Sequence, residues 1–448
     1  MTTNWGTLAR GQLNGESLVR QRSFGLLPAT RYYNEQAAPG IGSLWFVRKL
    51  YPSILALYIA DQDASGVRIA SKLRLANAIE AYSCYLTLAQ NREARFTQGR
   101  RKFRHPLDDP DHYPDYFSFE NLQKPSAYVS APFRQSCTAT LHALGLVSCD
   151  SLRFNQFRLS DNGLLLAKAI LQAAPMGAEK KLKGWIQGER NPLLSNLYQM
   201  DLAPDSEVCN LLERVVFNES TPDGRLRRSL RNWFDDITDV YDYRFLWSQL
   251  PVALAQYPDY WKRLHEAAHY TAFLNSLRDV LTGLELVMDA GQWMQPEDVK
   301  PSLTDGIHDV GSLVARAKRC ALRYLELLKD NSPEISCAMD LAVTTHKMDY
   351  ADTLLLLCGQ DASTFDTDGR RIFLKTKRPA RLSIPDEGPL TNGWGLFSAL
   401  PASLSYFYWL AKDLSGRHEE LIPIASQIEE DDEEDDEEDD EEEVSDER

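Results

Sequence analysis

The chain has 448 residues, 43% of them hydrophobic and 25% charged, with a formal net charge of −16. That length gives room for two or three domains of ordinary globular composition. No apolar run approaches the eighteen or so residues that span a bilayer; the longest candidate, "SILALYIA" at 53–60, is of helix-core length. The N-terminus has no apolar leader segment, so a soluble cytoplasmic protein with no membrane partner is expected. Seven cysteines without a C-x-x-C pair fit reduced thiols better than a disulfide framework or a zinc knuckle.

The charge is unevenly placed. Residues 429–448 carry seventeen acidic groups and one arginine, so the whole deficit of −16 lies there and residues 1–428 are neutral overall. Residues 1–104 hold fifteen Lys/Arg against six Asp/Glu and end in "REARFTQGRRKFR". A basic front and an acidic tail suggest a nucleic-acid or interaction surface, with a solvated face as the alternative.

In chain order, 1–104 reads as a basic helical domain. Its apolar positions Ile69, Leu73, Leu75, Ile79, Tyr82 and Leu86 recur mostly at three- and four-residue steps. The Pro- and Asp-rich stretch 105–118 disfavours helix and reads as an exposed connector. Residues 176–361 carry long helical patterns and read as a scaffold. Residues 362–428 hold β-formers flanking turn residues in "FDTDGRRIFLKTKRPARLSI", hence a hairpin, and then a last helix. The tail 429–448 cannot bury apolar surface and is expected to be disordered, either a solvating appendage or a mimic of nucleic acid. The expected fold class is mainly α and multi-domain.

Residues 119–175 carry the most information. "FRQSCTATLHALGLV" gives a helix with an apolar stripe at Phe133, Cys137, Thr140, Leu141 and Leu144, closed by Gly145. Leu146 and Val147 begin a strand, and "SLRFNQFRLS" alternates as a second strand with one register slip near Asn155. Ser160 and Asp161 then cap a further helix. Helix, "L-x-x-L-G-L-V", short ribbon, "F-R-L-S", then "x-x-G" and a helix resembles the winged-helix form of the helix-turn-helix, over about 119–172. By position the resemblance implies groove-facing Arg134, Gln135, Thr138 and His142, with Arg153, Asn155 and Arg158 on the wing. The helix itself holds one arginine and no lysine, so phosphate attraction must come from elsewhere, for example Arg95, Arg100, Arg101, Lys102 and Arg104.

"HEAAH" at 265–269 has the spacing that presents two imidazoles to zinc, with Glu266 as general base. A third ligand is not evident. Glu285 lies too far along the same helical pattern, and His308 would need a later segment to fold back. Lys262 and Arg263 also precede the motif, where uncharged residues are usual. Leu264, Ala267, Thr271, Leu274, Leu281 and Leu284 form a packing stripe that needs no metal. "DDITD" could align Asp235, Asp236 and Asp239 for Mg²⁺, but a second aspartate-rich helix is missing and a charge-paired surface helix is preferred. The leading expectation is a non-enzymatic accessory or scaffold subunit, without a cofactor, that contacts DNA or a DNA-bound protein partner. In general look the chain is similar to accessory proteins found beside prokaryotic DNA-maintenance and anti-phage enzymes. The rivals are a zinc hydrolase using His265, His269 and Glu266, and a pure protein-docking module.

Overall fold

The computed structural model describes residues 24–62, 71–90, 92, 98–109, 111–113, 115–125, 127–129, 132–174, 176–189, 206–237, 244–299, 309–329, 332–361, 363–375, 394–395 and 400–415. It is mainly helical. The described helices of nine residues or more begin with α1 (Leu27–Ala37), α2 (Tyr51–Gln62), α3 (Lys72–Gln90), α4 (Arg100–Asp108) and α5 (Phe133–Ala143). Next come α6 (Asp161–Ala173), α7 (Ala178–Ile186), α8 (Glu207–Val216), α9 (Pro222–Asp235) and α10 (Pro258–Val287). The last are α11 (Val310–Leu327), α12 (Ser336–Lys347), α13 (Tyr350–Gln360) and α14 (Ala402–Leu414). Strands are two or three residues long: β1 (Val147–Ser148), β2 (Arg158–Leu159), β3 (Arg244–Phe245), β4 (Trp293–Met294), β5 (Phe365–Thr367), β6 (Ile372–Leu374) and β7 (Trp394–Gly395).

The chain divides into two compact units, each built from segments distant in sequence. One comprises Met1–Ser17, Gly40–Arg231 and Tyr406–Arg448, the other Leu18–Pro39 and Asn232–Ser405. Among the described residues no helix is long and apolar enough to cross a membrane. All seven cysteines are free thiols.

In the first unit α2 and α3 pack side by side. Tyr51 through Ile59 are buried without interruption, as expected of a helix that is apolar all round and lies in a core. The backbone N–H of Val47 donates to the Asp413 carboxylate at 2.9 Å, tying the segment before α2 to α14. Lys49 is buried with its ammonium 4.0 Å from the Trp45 ring centroid and 3.6 Å from that of Phe133. Burial lowers its pKa to about 7, and the two aromatic faces give the charged form partial compensation.

The expectation of an irregular connector at 105–118 is corrected at its start. α4 runs through Pro106, which is buried. A proline at that point leaves the Lys102 carbonyl without its helical donor, and the Tyr116 hydroxyl reaches that oxygen at 3.2 Å. Turns follow from Asp111 onward.

The second unit is organised around the thirty-residue α10, which packs against α1, α11 and α13. Leu264, Ala267, Leu274, Leu281 and Leu284 of the predicted stripe are all buried. Gly283 permits the approach of α11: a Cβ there would meet Leu313 Cδ1 at 2.6 Å. The expected hairpin is present as β5–β6, with Phe365 opposite Leu374 and Thr367 opposite Ile372. Gly369 supplies the left-handed residue of its turn (φ +83°). β4 pairs with β6 on its other side, and Ile372 and Leu374 point into the core. The acidic segment 429–448 lies outside the described residues.

Candidate functional site

α5 lacks a side-chain N-cap of its own because Pro132 stands at that position. Glu80, from the middle of α3, does the capping instead: its carboxylate accepts the N–H of Phe133 and that of Arg134. A carboxylate placed there satisfies orphan donors and opposes the positive end of the helix. Arg134 turns inward toward the same group, with its guanidinium 3.9 Å from Glu80 and donating to Asn77 Oδ1 at 3.0 Å. Asn77 in turn donates to the carbonyls of Leu122 and Lys124. Burial pushes the Glu80 carboxyl upward, opposed by Arg134 and by the hydrogen bonds it accepts.

Arg134 and Thr138 are therefore not groove-facing, as the winged-helix resemblance implies. Both are buried, and the Thr138 hydroxyl donates to the Arg134 carbonyl at 2.7 Å. The stripe Phe133, Cys137, Thr140, Leu141 and Leu144 is buried as expected. Between these walls one face of α5 is left exposed, comprising Gln135, Ala139, His142 and Ala143. That is the i, i+4, i+7, i+8 set of a single helix face.

The helix closes in a complete Schellman turn. The Leu146 N–H reaches the Leu141 carbonyl at 3.0 Å and the Gly145 N–H the His142 carbonyl at 2.9 Å, with Gly145 at φ +66°. β1 then pairs with β2, Val147 opposite Leu159. The second strand is much shorter than its alternation suggests, because 154–156 form a 3₁₀ turn that buries Phe154 ahead of Phe157. Leu152 is left 48% exposed instead of facing a core. Ser160 fixes the exit from the ribbon: its hydroxyl donates to the Gly145 carbonyl at 2.6 Å and accepts the Gly163 N–H at 3.1 Å. A Cβ on Gly163 would lie 2.1 Å from the Leu146 carbonyl oxygen, so the "x-x-G" glycine is a close-approach residue.

The ribbon is anchored, not free. Lys72 donates to the Phe157 carbonyl at 2.6 Å and pairs with Asp61 at 2.7 Å, and Asn155 Oδ1 accepts the Leu73 N–H at 3.0 Å. Asn155 thus helps cap α3, although it is exposed. Arg153 and Arg158 are exposed, with no ion pair to another described residue. Arg101, Lys102 and Arg104 of α4 are exposed and Arg100 half-buried; Arg95 lies outside the described residues.

His265 and His269 do come together, with their Nε2 atoms 3.2 Å apart. His265 stacks on Trp247 with centroids 4.5 Å apart and planes inclined 20°. Burial lowers the imidazole pKa to about 4 at His265. At His269 burial, the neighbouring His265 and Arg323 lower it to about 3. Glu266 faces elsewhere, accepting the Tyr33 hydroxyl at 2.8 Å, and Tyr33 in turn meets the Tyr324 hydroxyl at 2.9 Å. This buried network, joined across 233 residues of sequence, gives Glu266 a structural partner where a hydrolase needs it on a water. Among the described residues no group of three or more His, Cys, Asp or Glu side chains could hold a metal ion. Glu285 is on the same continuous helix, and His308 lies outside the described residues. Asp235 and Asp236 are exposed, and Asp239 also lies outside.

A cleft of about 680 Å³ in the first unit is lined by Lys168, Lys180 and Lys183 but also by Glu179 and Glu189. Lys183 pairs with Glu179 at 2.6 Å, and the three lysines and two glutamates leave the lining a single positive charge in excess. No protein-family model, no curated protein and no solved structure matches this chain.

Proposed function

We propose that this chain is a non-enzymatic, nucleic-acid-associated accessory subunit, with α5 and the β1–β2 ribbon as its contact surface. The observation that carries the reading is the exposed face of α5, Gln135, Ala139 and His142, followed directly by a rigidly anchored ribbon that presents Arg153 and Arg158. Two small residues, Ala139 and Ala143, leave room for close approach to a duplex groove. Gln135 and His142 can hydrogen-bond base edges, and the ribbon arginines can bind phosphate. The exposed cations of α4 supply a further electrostatic contribution. The burial of Arg134 removes the one arginine of the helix from base readout, so shape- and phosphate-directed binding is favoured over strict sequence reading. A cytoplasmic role within a larger prokaryotic DNA-maintenance or anti-phage assembly belongs to the same proposal and rests on general resemblance alone.

A second reading, a protein-docking module, is favoured by the exposed Leu152 beside those arginines and by exposed Leu73 at the start of α3. Duplex binding measured at two salt concentrations separates the two. The nucleic-acid reading expects affinity that falls steeply with salt and weakens in Arg153→Ala/Arg158→Ala. Absence of binding at low salt, with residues 429–448 removed as well, refutes it.

A further inference from the structure

We propose that His265 and His269 form a preorganised two-imidazole chelate for a late first-row divalent transition ion, with Cu²⁺ bound most tightly. The two Nε2 atoms are already 3.2 Å apart. Metal–nitrogen bonds of about 2.0–2.1 Å at angles between square and tetrahedral require roughly 2.9–3.4 Å between donors, so little movement is needed. The pair sits one turn apart on α10, a thirty-residue helix locked into a core, and Trp247 covers one face of the His265 ring. Both rings thus hold their orientation before an ion arrives. His269 is buried while His265 is half-buried, which leaves the solvent approach on the His265 side.

In the absence of an ion, one Nε2–H donates to the other Nε2. Binding moves that ring to its other tautomer: the Nε2 proton leaves to solvent and one is taken up at Nδ1, so no net charge is released. Two imidazoles without a carboxylate suit Cu²⁺ first by the ordinary stability order, with Ni²⁺ and Zn²⁺ weaker, and the other coordination positions would be taken by water. This differs from a hydrolytic zinc centre, since Glu266 is held by Tyr33 and takes no part.

The test is a Cu²⁺ titration of the full chain, followed by tryptophan fluorescence and by electron paramagnetic resonance. One equivalent should bind saturably, quench Trp247 and show hyperfine structure from two imidazole nitrogens. His265→Ala and His269→Ala should each weaken that site by more than about tenfold, the lower end of what losing even an outer-sphere partner costs a metal site. Glu266→Gln should leave the affinity unchanged, and His112→Ala, on an exposed turn, serves as the control. If His269→Ala fails to fold, the half-buried His265→Ala and the Trp247→Phe loss of quenching still decide the matter. Equal isotherms for the wild type and His265→Ala, or a spectrum without the nitrogen pattern, overturn the proposal.

Discussion

Arg134→Ala should damage the fold and spare the contact surface proposed on α5 and the ribbon. Three losses combine at this position. The guanidinium gives up its 3.0 Å hydrogen bond to Asn77, a charge-assisted contact worth about 1.5–3 kcal/mol. Glu80 loses the guanidinium paired with it in a buried site, and breaking a buried pair costs about 3–5 kcal/mol when the partner stays behind. The buried stem leaves a cavity worth up to about 0.8 kcal/mol per methylene. Against these stands the relief of desolvating an arginine whose Nε has no hydrogen-bond partner, and Glu80 can take up a proton, a change its burial already favours. A net loss of about 3–5 kcal/mol is expected, or roughly 6–20 °C in melting temperature for a unit of this size. Calorimetry or circular dichroism measures the shift, and duplex binding well below the melting point should stay within about twofold of wild type. A variant that melts with the wild type but no longer binds duplex would show that Arg134 faces the ligand, and the assignment of α5's two faces would be wrong.

Further outcomes follow from the same geometry. Gly163→Ala should destabilise the ribbon–α6 junction by at least about 2 kcal/mol, because its Cβ meets a backbone oxygen at 2.1 Å; an unchanged melting temperature would contradict the close approach. Arg153→Ala/Arg158→Ala should lower the slope of log affinity against log salt by about two, one per lost phosphate contact. Deleting residues 429–448 should tighten duplex binding if the acidic segment competes with nucleic acid, and equal affinity would leave it a solvating role. The histidine pair makes stability pH-dependent. The folded-state pKa values lie below the unfolded value of about 6.5, so this stabilisation is complete above that pH. It is lost as pH falls toward about 4 and about 3. His265→Gln/His269→Gln should show a smaller drop in melting temperature between pH 7 and pH 4 than wild type, and an equal drop would argue against neutral buried imidazoles.

Local rules made much of this structure legible in the sequence. The apolar stripe of α5, the Gly145 terminus, the Ser160 cap and the β5–β6 hairpin each depend on residues a few positions apart, and each stands where patterning places it. The misreadings share a different cause. Arg134 and Thr138 turn inward because Glu80 and Asn77, more than fifty residues earlier, wait on α3. Pro106 stays helical because Tyr116 replaces the missing donor. Leu152 is exposed because a 3₁₀ turn, invisible to a period-two pattern, shortens the ribbon. Glu266, the base of an apparent zinc motif, is claimed by a tyrosine 233 residues away. Long-range polar partners therefore decide the site, and helical periodicity cannot name them.

The most direct test of the central claim is photo-crosslinking from benzoylphenylalanine incorporated at His142, on the open face of α5. Val252, 89% exposed in the second unit, is the control position. The account predicts a crosslink to duplex DNA from position 142 that salt suppresses, and none from 252. No crosslink from 142 under conditions where the chain binds DNA would contradict it.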